Sequence, residues 1–335
     1  MENQTLTFGP VPSRRLGQSL GINHIPPKTC TYACVYCQVG RTSHMTLRRQ
    51  VFFPTDQIVE SVQAKLEELQ RTGRKIDYLT FVPDGEPTLD LQLGRHIQAL
   101  QKFKIPIAVI TNTSLLPDPD VQEALHRADW VSLKVDAVEE TLWRRIDRPH
   151  GKLRLESILE AAQVFRRRFP GRLVTETMLV QGENDEDQAL EQLAEWIRLL
   201  QPDLAYLSAP TRPPAEAWVR PPAEERLCAA FAIFQRHGLP VELLISYEGN
   251  EFVSTGQPEE DLLNILAVHP MREEAVQSFL SRTRMKEATL DRLIQLGLTQ
   301  WTTYGGRRFL VRRFPAPNLQ KGKDKASAKF LPPKG

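Results

Sequence analysis

The sequence predicts an α/β fold, a partial (β/α)6 TIM-like barrel, because strand-like and helix-like segments alternate about six times over residues 16–238. Short apolar runs such as "IDYLTFV" and "RLVTETMLV" are each followed by a segment with helical spacing. Regular alternation of this kind predicts a parallel sheet covered by helices. Six units in roughly 220 residues favour an open barrel, since a closed eight-fold barrel typically needs ~250 residues.

The elements follow one another in a regular order. The predicted strands are "SLGINHI", "IDYLTFV", "IPIAVITN", "DWVSLKVDA", "RLVTETMLV" and "LAYLSAP". The predicted helices are "TDQIVESVQAKLEELQRTG", "LQLGRHIQALQKF", "DPDVQEALHRA", "KLRLESILEAAQVFRRRF", "NDEDQALEQLAEWIRLL" and "PPAEERLCAAFAIFQRHG". The first helix has Thr55 or Asp56 as its N-cap and stops at Gly73, which are typical boundary residues.

Composition excludes several classes of protein. The 335 residues carry a net charge of +2, so bulk electrostatics do not predict a polyanion binder. A membrane span is not predicted, because no apolar run reaches about 18 residues. The first residues, "MENQTLTFGPVPSRR", lack the apolar core of a secretory signal, so we expect a cytoplasmic protein. In that reducing compartment, clustered cysteines indicate metal or redox chemistry rather than disulfides.

Polar and glycine-rich segments follow the predicted strands. A cysteine loop follows the first strand, "PDGEPTL" the second, "TNTSLL" the third and "VQGEND" the fifth. The fourth strand carries Ser132, Lys134 and Asp136 in alternation, which predicts that all three share one face. The carboxyl ends of barrel strands form the active-site face, so these segments predict a ring of ligand-binding loops.

The cysteine loop, "KTCTYACVYCQVGRT", contains Cys30, Cys34 and Cys37 in the pattern C-x-x-x-C-x-x-C. Thiolates packed this closely bind soft metals. Half of a structural zinc site is one interpretation, although such sites use four ligands. An iron–sulfur cubane is the other, and with three thiolates one iron would keep an open coordination position. Cys228 lies in "LCAAFAIF", where we expect a small buried core residue.

The cysteine pattern, with Tyr36 directly before the last cysteine, resembles that of the radical S-adenosylmethionine (SAM) superfamily. The resemblance extends over roughly residues 9–246. It implies a 4Fe–4S cluster on the three cysteines, with SAM chelated by the unique iron. It also implies an external electron donor of the flavodoxin or ferredoxin type. Transfer of an electron would break SAM and release a 5′-deoxyadenosyl radical that takes a hydrogen atom from the substrate.

The turn Asp84-Gly85-Glu86 resembles the G-G-E motif of that superfamily, with aspartate in place of the first glycine. The resemblance assigns this turn to the methionyl amine of SAM. Gly85 would then allow close approach of the backbone, and Glu86 would accept a charge-assisted hydrogen bond from the ammonium. A plain turn is the structural alternative.

Further SAM contacts are implied by the later strand ends. Asn112 lies in "TNTS", which resembles the T-N-G stretch of the family, although it could simply cap a turn. Ser132, Lys134 and Asp136 would contact the ribose or carboxylate, although Lys134 and Asp136 could instead form an ion pair. Gly182, in "LVQGEND", would lie on the adenine side.

Three segments indicate a narrower kinship: "GPVPSRRLGQSLGIN", "CVYCQVGRT" and "WRRIDRPHG". Together they resemble the branch that contains tRNA wyosine-base synthases and uncharacterised bacterial iron–sulfur oxidoreductases. Those synthases carry further cysteines before the triad, whereas this chain has none before Cys30. The kinship therefore supports the branch and not the wyosine reaction. Arg14 and Arg15 could clamp an anionic substrate or form a solvated pair.

The last part of the chain predicts a second, smaller domain over residues 257–313, after a barrel domain over residues 1–250. Three helical segments and the hairpin "WTTYGGRRFLVRR" resemble a winged helix-turn-helix, whose third helix would be the recognition helix. The predicted wing carries four arginines and precedes a basic tail, residues 314–335, that we expect to be disordered. The wing arginines are Arg307, Arg308, Arg312 and Arg313. This domain would contact RNA or another nucleic acid, or dock a protein.

Three functional hypotheses follow from these patterns. The first is a radical SAM enzyme that modifies RNA, with the winged helix positioning the polymer. The second is radical modification of a protein, peptide or small metabolite, with the winged helix as a docking module. The third is a regulator in which the cluster senses redox state or SAM and the winged helix binds DNA. The polar strand ends favour an enzyme over a sensor, since a sensor does not require a ring of SAM-binding loops.

Overall fold

The computed structural model describes residues 6–71, 73–245 and 257–313. The predicted disordered tail, residues 314–335, lies outside the described residues. Within the described part of the chain, no helix is both long and apolar enough to cross a membrane.

The secondary structure alternates along the chain. The described strands are β1 (Thr7–Ser13), β2 (Gly17–Ile22), β3 (Thr29–Cys30), β4 (His44–Met45), β5 (Tyr78–Phe81), β6 (Ile107–Thr111), β7 (Trp130–Lys134), β8 (Arg172–Met178), β9 (Leu204–Ser208), β10 (Val241–Leu244), β11 (Met271–Arg272), β12 (Thr299–Tyr304) and β13 (Arg307–Arg312). The described helices are α1 (Thr55–Arg71), α2 (Leu93–Leu100), α3 (Pro119–Leu125), α4 (Glu140–Ile146), α5 (Leu155–Arg168), α6 (Asp187–Leu200), α7 (Glu224–Arg236), α8 (Pro258–Val268), α9 (Glu273–Thr283) and α10 (Glu287–Gln295).

Eight of the described strands form one sheet, in the spatial order β1-β2-β5-β6-β7-β8-β9-β10. The β1 strand is antiparallel to β2, and every other neighbouring pair is parallel. The fold is therefore α/β with a curled half-barrel sheet, as the alternation of segments predicted. Because the parallel strands run in one direction, their carboxyl ends meet at one edge.

Two edge strands were not predicted. The β1 segment, "TFGPVPS", contains Pro10 and Pro12, which cannot donate to a sheet ladder. At the edge of the sheet this loss is tolerated, and β1 pairs only on one side among the described strands. The β10 strand, "VELL", is only four residues long. The short helix α4 was also not predicted; it lies directly before Asp147.

The main core lies between the sheet and its covering helices. Phe81 on β5 and Val109 on β6 are fully buried against apolar faces of the helices. Those faces contribute Ile58 from α1, Ile97 from α2 and Phe165 from α5. Full burial of these side chains stabilises the fold by roughly 1.5–3 kcal/mol each. The strands are thereby held firmly below the edge where the polar segments lie.

Residues 257–313 form a compact unit of the helices α8, α9 and α10 and a three-stranded sheet, β11-β13-β12. The predicted order of helices and hairpin is present, with the short strand β11 added. The unit packs on the barrel: Val11 of β1 joins its apolar core. Lys65 of α1 lies 3.2 Å from Asp261 of α8. The C-terminal unit is therefore attached to the barrel by apolar and ionic contacts.

The buried ring of His24 should make stability depend on pH. Burial is the main cause that lowers its pKa from 6.5 to about 4; His96 lowers it further, and Asp90 opposes the shift. Between these values the unfolded chain binds a proton that the folded protein does not, so stability falls as pH decreases. At 1.36 kcal/mol per pH unit, the His24 contribution lost between about pH 8 and pH 5 is about 2 kcal/mol.

Urea unfolding of the wild-type protein and the His24→Gln variant at both pH values isolates this contribution. The variant should lose less stability on acidification by about 2 kcal/mol. Equal losses in both proteins would mean that the pKa of His24 does not differ between the folded and unfolded states.

Candidate active site

A cavity of about 290 Å³ opens at the carboxyl edge of the barrel sheet. Its wall is built from the cysteine loop and from the ends of the strands β5, β6, β7, β8, β9 and β10. The predicted site residues that line it are Cys30, Cys34, Tyr36, Cys37, Gly85, Glu86, Asn112 and Lys134. The sequence prediction of a ring of polar strand ends therefore corresponds to a real cavity.

The cysteine loop is held in place by backbone hydrogen bonds. The amide of Cys37 donates to the carbonyl of Cys34 at 3.1 Å, which forms a tight turn between the two thiols. The amide of Val35 donates to the carbonyl of Ile146, at the end of α4, at 2.9 Å. The carbonyl of Cys30 accepts from the amide of Thr46 at 3.0 Å. The loop thus presents three half-buried thiols on one wall.

The three thiols lie in a protein environment that disfavours a free thiolate. Burial is the main cause that raises the pKa of Cys30, to about 12, and Glu86 raises it further. Burial also raises the pKa of Cys34 and of Cys37, and at Cys37 the nearby Lys28 opposes the shift. Thiol ligands lose their protons on binding a metal, so a metal group must supply the compensating positive charge.

Gly85 is required by contact with the cysteine loop. The amide of Glu86 donates to the carbonyl oxygen of Thr29 at 3.1 Å, which brings the two backbones together. A Cβ atom added at position 85 would lie 2.1 Å from that oxygen, which no rotamer change could relieve. Gly85 is therefore needed for the approach to Thr29; it also lines the cavity, and its predicted approach to SAM stays a prediction.

Asp84 occupies the position of the first glycine in the family motif. Its carboxylate lies 3.2 Å from the ammonium of Lys28, and its carbonyl accepts from the amide of Lys28 at 2.7 Å. Burial raises the pKa of Asp84 to about 7, against the lowering effect of Lys28. The side chain at position 84 thus adds a second link between this turn and the segment that leads into Cys30.

Glu86 is buried, and its carboxylate accepts four hydrogen bonds from described protein groups. One oxygen accepts from the amide and hydroxyl of Thr88, at 3.0 and 2.6 Å, and from the hydroxyl of Thr111 at 2.6 Å. The other accepts from the amide of Asn112 at 2.8 Å. Burial raises the pKa of Glu86, and these bonds oppose the shift. Glu86 thus joins the ends of β5 and β6; its predicted contact with SAM stays a prediction.

Asn112 lies at the end of β6 and faces the cysteine loop. Its side-chain amide donates to the hydroxyl of Thr31 at 2.8 Å and lies 3.5 Å from the sulfur of Cys30. Its side-chain oxygen accepts from the amide of Ser114 at 3.0 Å, as in a turn cap. Asn112 therefore caps a turn, as the structural alternative predicted, and it also lies beside the predicted metal ligand Cys30.

Lys134 ends β7 and lies between two acidic groups. Its ammonium lies 3.5 Å from Glu176 of β8 and 3.9 Å from Asp136. It also lies 4.7 Å from the centre of the Tyr36 ring, within cation–π range. Glu176 makes a further ion pair with Arg15. The ion-pair alternative for Lys134 is therefore present, although Lys134 also lines the cavity.

Tyr36 is anchored by a buried pair of carboxylates. Its hydroxyl donates to Asp136 and lies 2.9 Å from Asp147. The thiol of Cys34 donates to the same oxygen of Asp147 at 3.3 Å. Burial is the main cause that raises the pKa of Asp147, and Asp136 raises it further. This cluster fixes the cysteine loop from behind the cavity.

Ser132, Asp136 and Gly182 are absent from the described wall of the cavity, although the sequence predicted SAM contacts for them. Ser132 lies two residues before the end of β7 and is buried in the sheet. Asp136 lies beyond the end of β7, so the alternation that placed it on the same face no longer applies. Gly182 lies in a turn with φ +71°, where its amide donates to Asp185 at 2.8 Å.

Sequence reasoning did not assign several wall residues. Glu176 alternates with Met178 along β8, so the same alternation argument used for β7 could have found it. Arg212 follows β9 and lines the cavity, but proline-rich surroundings gave no signal. Asp147 supports the wall only because α4 lies against the cysteine loop.

The prediction that Cys228 is a core residue is wrong: it is exposed on α7.

Comparison with known proteins shows the family of the chain. The sequence model of the radical SAM superfamily matches residues 25–197, slightly more than half of the chain, and this range includes the whole cysteine loop. The chain belongs to the radical SAM superfamily. As a member of it, the protein is an enzyme that uses a 4Fe–4S cluster and S-adenosylmethionine.

Individual relatives differ in their distance from this radical SAM chain. A UPF0026 protein of Methanocaldococcus jannaschii is 43% identical over 310 residues, covering 92% of this chain and 96% of that protein. A probable dual-specificity RNA methyltransferase of Thermotoga maritima is 26% identical over 221 residues, 64% of this chain and 61% of that protein. The crystal structure of a radical SAM methyltransferase from Sphaerobacter thermophilus has a TM-score of 0.52 at 21% identity, covering 68% of this chain and 67% of that one. This structural likeness supports the fold.

The residues present fit the cluster of the radical SAM superfamily. Cys30, Cys34 and Cys37 line one cavity. A cubane binds each thiolate at a different iron, and three thiols beside one cavity provide three of these ligands. The donor set therefore suits a cluster.

Proposed function

We propose that this radical SAM enzyme modifies RNA. Cys30, Cys34 and Cys37 would hold the cluster, and the cavity beside them would hold SAM. Together the bound groups would supply the reductive cleavage of SAM and the hydrogen abstraction typical of the superfamily. The similarity to a probable RNA methyltransferase supports RNA as the substrate class.

One observation carries the proposal: the C-terminal unit contacts residues that line the cavity. Arg212 lines the cavity and contacts both Gln38 in the cysteine loop and His269 at the end of α8. The hydroxyl of Tyr304, on β12, donates to the carbonyl of Pro210 at 3.1 Å. A polymer held by the C-terminal unit would therefore lie within reach of the chemistry.

In this proposal the C-terminal unit is a winged helix-turn-helix, with α10 as the recognition helix and the β12–β13 hairpin as the wing. Its order of helices and strands supports this interpretation. The wing arginines are not equivalent as phosphate ligands. Both Arg307 and Arg308 are exposed, but Arg308 forms an ion pair with Glu273 and lies 4.7 Å from the centre of the Trp301 ring. Arg307 is therefore the better phosphate ligand of the two.

The test is an anaerobic incubation of the reconstituted protein with dithionite and SAM. The substrate is total RNA from cells that lack the protein. We expect a nucleoside of altered mass in the digested RNA, and more 5′-deoxyadenosine than without RNA. The Cys37→Ala variant, treated identically, should give neither product. Parallel incubations use the protein and metabolite fractions of the same cells; a mass change in one of these, with unaltered RNA, would transfer the proposal to the second substrate class.

A further inference from the structure

The loop between β9 and α7, residues 209–222, forms one rim of the cavity. Its first residues, Ala209 to Arg212, line the cavity wall. The loop contains five prolines, which restrict its backbone. Near its middle it exposes Trp218, whose accessibility of 46% is unusual for so large an apolar residue.

The rim loop is held in a fixed position despite having no regular structure. The amide of Glu216 donates to the carbonyl of Val35, between two of the cysteines, at 3.0 Å. The carbonyl of Arg220 accepts from the amide of Gln181 at 3.0 Å. Val219 is fully buried and packs with Val35 and Tyr36. Trp218 is therefore exposed on an anchored loop. Its neighbour Val219 packs on the cysteine loop.

Exposed arginines surround the same part of the rim. Arg41 and Arg148 both donate to Glu216, at 3.0 and 2.7 Å, and their side chains are 76% and 44% exposed. Arg220, also exposed, donates to the carbonyl of Ala217 at 2.6 Å. Arg41 and Arg148 share the carboxylate of Glu216, and Arg220 donates to backbone carbonyls, so these three guanidinium groups and one carboxylate leave an excess of positive charge at the rim. Each guanidinium has five N–H donors, more than these contacts use.

We propose that Trp218 is a stacking platform for an unpaired base of single-stranded or loop RNA, and that Arg41, Arg148 and Arg220 bind the flanking phosphates. This inference rests on the proposed function and names the form of RNA that the site accepts. Trp218 lies on the same loop as Arg220 and two residues from Glu216, which binds Arg41 and Arg148. An exposed aromatic ring and nearby guanidinium groups match both parts of a nucleotide, the π-face of the base and the anionic backbone. A base enclosed in a duplex cannot enter a recessed cavity without leaving the stack, so unpaired RNA is the favoured ligand.

The binding test uses a fluorescein-labelled 12-nucleotide single-stranded RNA of mixed sequence, and the same sequence as a duplex. Fluorescence anisotropy with the anaerobically reconstituted full-length protein gives both dissociation constants. Trp218→Ala should weaken single-strand binding roughly tenfold, whereas Trp218→Phe should keep most of the affinity. Leu199→Ala, which truncates an exposed apolar residue on α6, should have no effect. Arg148→Gln should reduce the log–log salt slope by about 0.7.

Three results would overturn the inference. The first is equal affinity of the wild-type protein and Trp218→Ala for the single strand. The second is loss of bound iron in Trp218→Ala, which would make the side chain a structural support. The third is weakened binding of a flavodoxin, with unchanged RNA binding, which would assign the rim to the electron donor. Failure of RNA modification with intact RNA binding would instead count against the proposed function alone.

Discussion

Replacing Cys30, Cys34 or Cys37 by alanine should abolish the iron–sulfur cluster. Wild-type protein reconstituted without oxygen should bind about four irons and four sulfides per chain. Each single variant should lose this content and the visible charge-transfer absorption, because a cubane with two protein thiolates would have two open irons. Cleavage of SAM to 5′-deoxyadenosine with dithionite should be lost at the same time.

Cys228→Ala is the matched control, since Cys228 is the fourth cysteine of the sequence and is exposed on α7. Its iron content should equal that of the wild type. Stoichiometric zinc in the wild-type protein, with no visible absorption, would instead favour the zinc interpretation of the three cysteines.

Glu86→Ala should destabilise the folded protein by about 3–5 kcal/mol, because four buried donors would lose their acceptor. The affected groups are the amide and hydroxyl of Thr88, the hydroxyl of Thr111 and the amide of Asn112. Glu86→Gln retains one oxygen and should be intermediate. Urea unfolding of the cluster-free proteins measures the effect separately from loss of cofactor.

Glu139 supplies a matched control for Glu86. It caps α4 by accepting from the amides of Thr141 and Leu142, both at 2.8 Å, but in an exposed setting. Water can replace these bonds, so Glu139→Ala should cost only about 1 kcal/mol, as at other exposed caps. A loss in Glu86→Ala no larger than in Glu139→Ala would show that the Glu86 network does not hold the two strand ends together.

The central part of the fold could be predicted because its information is local. Apolar runs such as "IAVIT" of β6 and "LAYLS" of β9 are typical of strands buried on both faces. The edge strand β1 could not be predicted in this way. Its two prolines are tolerated only because of its place in the sheet, and that place is set by contacts distant in sequence.

The candidate site shows the same division. Asn112 directly follows a predicted strand and lies at the cavity, as the position of its segment after that strand predicted. Asp147 supports Tyr36 and Cys34 from more than 100 positions away, so no spacing could reveal it. Asp136 follows β7 by two residues and contacts Tyr36 from behind the cavity, and its predicted contact with SAM stays a prediction.

The turn at residues 84–86 bears on how this motif can vary during evolution. Position 85 faces the backbone oxygen of Thr29, which cannot move aside. Substitutions of Gly85 should therefore not be tolerated. Position 84 already carries a side chain, paired with Lys28, in place of the glycine that the family motif has there. A saturation library of this turn, selected for soluble protein, should therefore recover aspartate and small residues at the buried position 84, and glycine at 85.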